Sequence, residues 1–452
     1  MNDKTQKIVI IGNGIAGITC ARNIRKRDEN SEILVISGET EFFFSRTALM
    51  YIYMGHMKYE HTKPYEDWFW EKNNIKLKQA WVERLDYGNK TLHLDSGNKI
   101  IYDTLILATG SVPNKFNWSG QDLKGVQGLY SKQDLDTMEM NTAGINRAVV
   151  VGGGLIGIEM AEMLASRKIP VTFLVREKNF WDNVLPIDEA RLINKHILEH
   201  HIDLRLGTEL KEIEGDESGL VKSVVTDKGE TISCQFVGLT VGVSPNIKFL
   251  QDSALETKRG VLVDRFFKTN IENVYAIGDC AEFHEPPASD RKNIEQVWYT
   301  GRMHGETLAY NLTAENPVAY QPGMWFNSAK FFDIEYQTYG LVPNEDKEGI
   351  SSFYWESETG KNCLRLVFEE KSQRLLGANS LGWRLRHEFF EKAIEKEWTL
   401  EKVLKNLHKA DFSTEFFEKF YKKVFKKYEN ETGKKIALEK QSFFHRLIGS
   451  RA

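Results

Sequence analysis

Two sets of three glycines have the spacing to hold a pyrophosphate: Gly12, Gly14 and Gly17 in KIVIIGNGIAGITCARNIRK, and Gly152, Gly154 and Gly157 in RAVVVGGGLIGIEMAEMLA. The first glycine of each set permits a tight turn. The second lets backbone N–H groups approach a phosphate, and the third lets a helix pack close to its strand with the phosphate at the helix N-terminus. One such match is weak, but its repetition in the same strand-to-helix context is a strong signal of two dinucleotide-binding units. An acid at the end of the next strand would take a ribose hydroxyl. In the first unit Ser37 stands at the usual distance and Glu39 two residues on, which makes Glu39 the candidate. In the second, Arg176 suits a 2′-phosphate and Glu177 a free 2′-hydroxyl, so NADH and NADPH both stand.

The elements that must carry these turns belong to an α/β chain. At 452 residues, two to four domains are expected. Lys and Arg number 60 against 64 Asp and Glu, so charge does not point to nucleic acid as a partner. Cys20, Cys234, Cys280 and Cys363 are far apart and form no C-x-x-C, which excludes a sequence-local redox disulfide or zinc knuckle and suits a reducing cytoplasm. The apolar start after MNDKTQK is read as the first nucleotide-binding strand rather than a signal peptide, and no stretch approaches the roughly 20 apolar residues of a membrane span.

Two further motifs follow in order, DTLILATGSVPN and ENVYAIGDCAE, each an apolar strand ending at a glycine. With the glycine turns they resemble the pyridine nucleotide-disulfide oxidoreductase superfamily, flavoproteins with two Rossmann-like domains. The resemblance implies FAD in the first domain and NADH or NADPH in a second domain inserted into it. It implies that Gly12, Gly14 and Gly17 meet the FAD pyrophosphate, that Ala108, Thr109 and Gly110 mark the crossover between domains, and that Gly278 and Asp279 approach the flavin ribityl chain and phosphate. GVSPN, ending at Asn246, resembles the return crossover. KNIEQVWYTGRMHGETLAYNL reads as a helix whose start resembles the part of the family that points at the flavin, where its partial positive charge would stabilise reduced flavin. Glu295, Gln296 and Trp298 are the candidates there, with core packing an equal reading for Trp298.

EFFFSRTALMYIYMG is too aromatic for an ordinary surface loop, and it carries no cysteine where thiol-relay members of the superfamily have one or two. Phe44 to Leu49 resembles the Y-x-R-P-P-L segment of the rubredoxin, ferredoxin and nitrite reductase branch. That resemblance implies a wall beside the flavin and electron transfer without a thiol. The branch often pairs a lysine here with a glutamate on the second glycine helix. Glu159 stands at the glutamate position, but Tyr51 replaces the lysine, and Arg46 is a candidate for part of the missing charge.

From Pro322 short aromatic strands precede helices, resembling the α+β interface domain of the superfamily, which supports dimerisation in many relatives. Trp355, Trp383 and Arg384 are expected as lining or interface residues, or as simple core. The implied division is 1–115 and 246–320 for FAD, 116–245 for NAD(P)H, 321–410 for the interface domain and 411–452 for a tail. From Tyr421 to the end there are nine Lys or Arg and three Glu. Phe412, Phe416, Phe420, Val424 and Tyr428 at four-residue steps give an amphipathic helix that either docks an acidic partner or an anionic membrane, or packs on the protein's own core.

The leading expectation is an FAD-dependent NAD(P)H oxidoreductase delivering electrons to an iron-sulfur or rubredoxin-like protein. Direct reduction of oxygen or a quinone, and a redox-sensing flavoprotein resembling apoptosis-inducing factors, are the alternatives.

Overall fold

The computed structural model describes residues 6–251, 253–289, 291–412 and 418–438. Internal contacts divide the chain into two units, Met1–Arg176 with Ile202–Pro322, and Glu177–His201 with Gly323–Ala452.

The first unit holds two parallel five-stranded sheets of the same design. In one, the order is Val274–Ala276, Thr104–Leu107, Lys7–Ile11, Glu32–Ser37 and Ile75–Gln79. In the other it is Asp203–Leu206, Val171–Val175, Ala148–Val151, Phe236–Leu239 and Val126–Gln127. The runs KIVII and AVVV lack hydrophobic alternation because helices and loops cover both faces, as parallel sheets require. Each central strand feeds a glycine turn and then a helix, Ile15–Arg25 in the first sheet and Leu155–Ser166 in the second.

The chain leaves the first fold and returns to it on paired strands. Ser111–Pro113 lies antiparallel to Val243–Pro245, and Thr109 Oγ1 donates to the Asn246 carbonyl at 2.8 Å. The helix expected from Lys292 begins later, at Trp298, and runs to Thr313. It crosses the first glycine helix at small residues: a Cβ on Gly305 would lie 2.5 Å from the Ala16 carbonyl oxygen. Only glycine allows that approach.

The second unit is an antiparallel sheet in the order Phe326–Phe331, Ile334–Gly340, Leu375–Leu381, Cys363–Glu369 and Ile350–Glu356. Helices His387–Glu395, Leu400–Asn406 and Phe420–Thr432 contribute to its core. The helix Ile187–Glu199, read from sequence as part of the nucleotide fold, clusters with this unit. Arg365 explains the attachment: its Nε donates to Glu189 Oε1 at 2.7 Å, and its Nη2 to Glu189 Oε2 at 2.8 Å and Asp188 Oδ2 at 2.6 Å.

Trp355 and Trp383 pack edge to face at 6.2 Å inside this core, and Arg384 pairs on the surface with Glu335. The two tryptophans are therefore core. The tail helix starts at Phe420, later than the four-residue repeat from Phe412 suggests; Phe416 lies outside the described residues. Val424, Phe425 and Tyr428 are buried, and the Phe420 ring lies 5.6 Å from Trp355 and 5.7 Å from Trp383. Its apolar face is thus spent on the protein's own core, with Lys422, Lys423 and Lys426 outward. Among the described residues no helix is long and apolar enough to cross a membrane.

Candidate active site

A cavity of about 970 Å³ opens at the first glycine turn, at the upper end of the range for small-molecule sites. Its wall brings together Gly12, Gly14, Glu39, Arg46, Ala108, Thr109, Gly110, Glu159, Gly278, Asp279, Gln296 and Trp298. Phe43, Phe44, Thr47, Leu49 and Met50 from the aromatic stretch line it too.

The glycines show what the cavity is shaped for. Gly12 has φ +109°, and a Cβ there would stand 2.0 Å from the Ala108 carbonyl oxygen. A Cβ on Gly17 would stand 2.1 Å from the Gly12 carbonyl oxygen, so Gly17 serves helix packing and does not line the wall. At Gly14, which has φ −69°, a Cβ would meet nothing within 4 Å. The second turn repeats the pattern: Cβ atoms on Gly152 and Gly157 would meet carbonyl oxygens at 2.6 and 2.2 Å, and one on Gly154 nothing. In both turns the protein itself demands the first and third glycines. The middle one is explained by a phosphate brought against the backbone. The first cradle thus fits the FAD pyrophosphate.

Charged groups around the cavity are wired together. Asp279 accepts from Ser111 Oγ at 3.0 Å and Tyr130 Oη at 3.3 Å, and Gln296 Nε2 donates to Ser111 Oγ at 2.9 Å. Burial pushes the Asp279 carboxyl above its ordinary range, against the pull of those hydrogen bonds and of Arg46. Glu39 was expected to take a ribose hydroxyl, but it already accepts from Arg46 Nη1 at 2.8 Å, Arg46 Nη2 at 2.6 Å and the Lys132 N–H at 2.8 Å. A carboxylate has about four acceptor sites, which leaves room for roughly one further donor.

Four expected side chains lie off the wall. Glu295 is buried behind it, accepting from Arg291 Nη1 at 3.0 Å and Tyr320 Oη at 2.9 Å; beside it, His304 accepts the Gly278 N–H at 3.1 Å. Glu295 braces Gly278 and the segment before the Trp298 helix from within, and does not face the cavity. Tyr51 is half-buried on the short helix Leu49–Tyr53, its ring stacked with His56. Arg176 and Glu177 follow the end of Val171–Val175 in the second fold. Trp298, 38% exposed, faces the cavity rather than the core.

Sequence reasoning missed Trp81 and Lys248. Trp81 is 56% exposed and lies so close over Gly38 that a Cβ there would be 2.2 Å from its ring. The signal was an aromatic two residues after the end of the edge strand Ile75–Gln79, next to a glycine that only the fold brings near.

All four cysteines are free and buried, and none lines the cavity. Burial raises each thiol, Cys234 to about 12. The folded protein is therefore expected to leave all four unlabelled by a thiol reagent, and to keep full activity, until it is denatured; labelling read by mass spectrometry checks this.

The family model for pyridine nucleotide-disulphide oxidoreductases matches residues 6–305. The chain belongs to this family. It is an FAD-dependent NAD(P)H oxidoreductase. An NADH-rubredoxin oxidoreductase of Clostridium acetobutylicum is 30% identical over 413 residues, 89% of this chain and 100% of that one. A coenzyme A disulfide reductase of Staphylococcus epidermidis is 28% identical over 398 residues, 83% and 88% of the two chains. Among solved structures, a ferredoxin reductase from Rhodopseudomonas palustris matches the fold with a TM-score of 0.79 at 22% identity, covering 90% of this chain and 98% of that one. This family member thus has relatives named both for a disulfide substrate and for an electron-carrier protein.

Proposed function

We propose that this reductase takes hydride from NADH or NADPH beside Glu159 and passes electrons from the flavin straight to a separate carrier protein of the rubredoxin or ferredoxin kind. The carrying observation is that Arg46, Leu49 and Met50 occupy the cavity wall with no thiol among them. FAD accepts a hydride and can release its electrons singly, which suits an iron-sulfur or rubredoxin-like partner. The similarity to an NADH-rubredoxin oxidoreductase over its whole length supports the same reading.

Within this reading, Gly12, Gly14 and the Arg46–Glu39 pair hold FAD, Gly278 and Asp279 lie along its phosphate side, and Gln296 and Trp298 close the far wall. Glu159 and Ile156 reach the cavity from the second glycine helix, where the nicotinamide would be seated. Arg176 and Glu177 decide between NADPH and NADH. The protein works in a reducing cytoplasm, which suits four free thiols. Docking of the basic helix to a membrane has little support, because the apolar face that would insert is buried.

Anaerobic titration with NADH tests the thiol-free path. Flavin absorbance is expected to bleach at about one NADH per FAD, with no thiolate-to-flavin charge-transfer band. A second equivalent consumed before full reduction would mean a redox-active thiol. Glu159→Ala is expected to slow flavin reduction by NADH about tenfold or more while reduction by dithionite is unchanged, read by stopped-flow absorbance.

A further inference from the structure

Away from the cavity, one cluster of side chains has ligand chemistry that the reductase function does not use. His196 and His200 are four residues apart at the C-terminal end of the helix Ile187–Glu199, so both leave the same face. Asp333 meets them from the tight turn between Phe326–Phe331 and Ile334–Gly340, where Phe332 has φ +54°. All three belong to the C-terminal unit. Asp333 Oδ1 lies 2.7 Å from His196 Nε2 and 3.2 Å from His200 Nε2, and one ligand atom from each residue lies within 4.8 Å of the others.

Hydrogen bonding accounts for only part of this: His200 Nε2 and Asp333 Oδ1 are hydrogen-bonded at 3.2 Å, which leaves the two nitrogens of His196. The His196 side chain is 2% exposed, yet neither ring nitrogen makes an aligned hydrogen bond, even with Asp333 so near. Buried ring nitrogens normally have a partner. Glu199 Oε2 stands 3.8 Å from His196 Nδ1, on the side where a carboxylate orients a metal-bound imidazole. The His200 ring is fixed by stacking on Phe332 at 4.2 Å and 8°. Bonds of about 2.0–2.2 Å from a tetrahedral zinc ion place its ligand atoms roughly 3.3–3.5 Å apart, a small opening of the present distances.

We propose that His196, His200 and Asp333 form a Zn²⁺ site, with water as the fourth ligand, that pins this helix to the strand turn. Two imidazoles and one carboxylate favour zinc or a similar transition ion over Mg²⁺ or Ca²⁺, which take oxygen ligands. Asp333 is exposed, so the water position faces solvent. Lys361 Nζ, 3.7 Å from Asp333 Oδ2, is the cation that zinc must compete with.

The test uses tag-free, FAD-loaded protein stripped with EDTA, titrated with Zn²⁺ by calorimetry and with Co²⁺ by visible absorption. One Zn²⁺ per chain is expected, bound at least tenfold more weakly in His200→Ala and Asp333→Asn and more tightly in Lys361→Ala. Co²⁺ is expected to give the intense bands of a four-coordinate site, and Zn²⁺ to raise the melting temperature of the wild type and of Lys361→Ala but not of His200→Ala or Asp333→Asn. The flavin spectrum and NADH turnover should not change. His200 and Asp333 both reach solvent, so these variants should fold, and their metal-free melting temperatures check it. No binding by the wild type at about 100 μM Zn²⁺, or binding undiminished in both variants, would overturn the proposal.

Discussion

Gly14→Val is expected to give a folded, soluble protein that purifies without flavin and has no NADH turnover. Gly12→Ala is expected not to fold. The two positions are two residues apart in one turn, and the difference lies in what each side chain would meet. At Gly12 the backbone is left-handed and the new Cβ runs into the Ala108 carbonyl, whose strand is the sheet neighbour of Lys7–Ile11. At Gly14 the backbone suits any residue and the space is open within the protein, so only the pyrophosphate is displaced. Gly154→Val is the internal control. It should keep its flavin, which dithionite still reduces, and lose reduction by NADH. Circular dichroism with visible flavin absorption checks all three, and a flavin-loaded Gly14→Val protein would mean that the cradle is misplaced.

The second large effect is on stability. Arg365→Met is expected to cost about 3–5 kcal/mol, because it strands the fully buried Glu189 without its partner. Pairing it with Glu189→Leu should recover most of that loss, since an apolar pair carries no desolvation cost. Burial already holds Glu189 above its ordinary value despite Arg365, and removing the guanidinium raises it further. A carboxyl whose folded value is raised favours the folded state fully below its unfolded value, and that contribution is lost as the pH rises through the folded one. The single variant should therefore regain stability as the pH falls toward that of a free glutamate. Urea midpoints at several pH values measure it.

How much of this was legible in the sequence follows the range of the interactions. The glycine turns could be read because each is a local pattern, in which strand, turn and helix follow within a few residues, while the crossover strands and the aromatic wall were implied by the family resemblance. Glu39 was found by its distance from the glycines, but its engagement by Arg46 and by the backbone of Lys132 depends on how two segments meet. Glu295 was misplaced for a similar reason. The helix expected over it begins at Trp298, and Arg291, His304 and Tyr320 draw the carboxylate inward. Trp81 followed an edge strand, but its role comes from lying over Gly38, which only the fold brings near. The four-residue repeat of the tail did mark a helix. Whether its face was free or covered depended on Trp355 and Trp383, which the sequence places far from it.

The most direct test of a flavin that hands electrons to a separate carrier protein is to follow NADH oxidation in air with oxygen consumption, then anaerobically with a rubredoxin or ferredoxin added. Slow oxygen uptake, with carrier reduction many times faster and unchanged after thiol alkylation, is the predicted result. Oxygen consumption that matches NADH loss at the full rate, with no gain from the carrier, would contradict it and make the enzyme an oxidase.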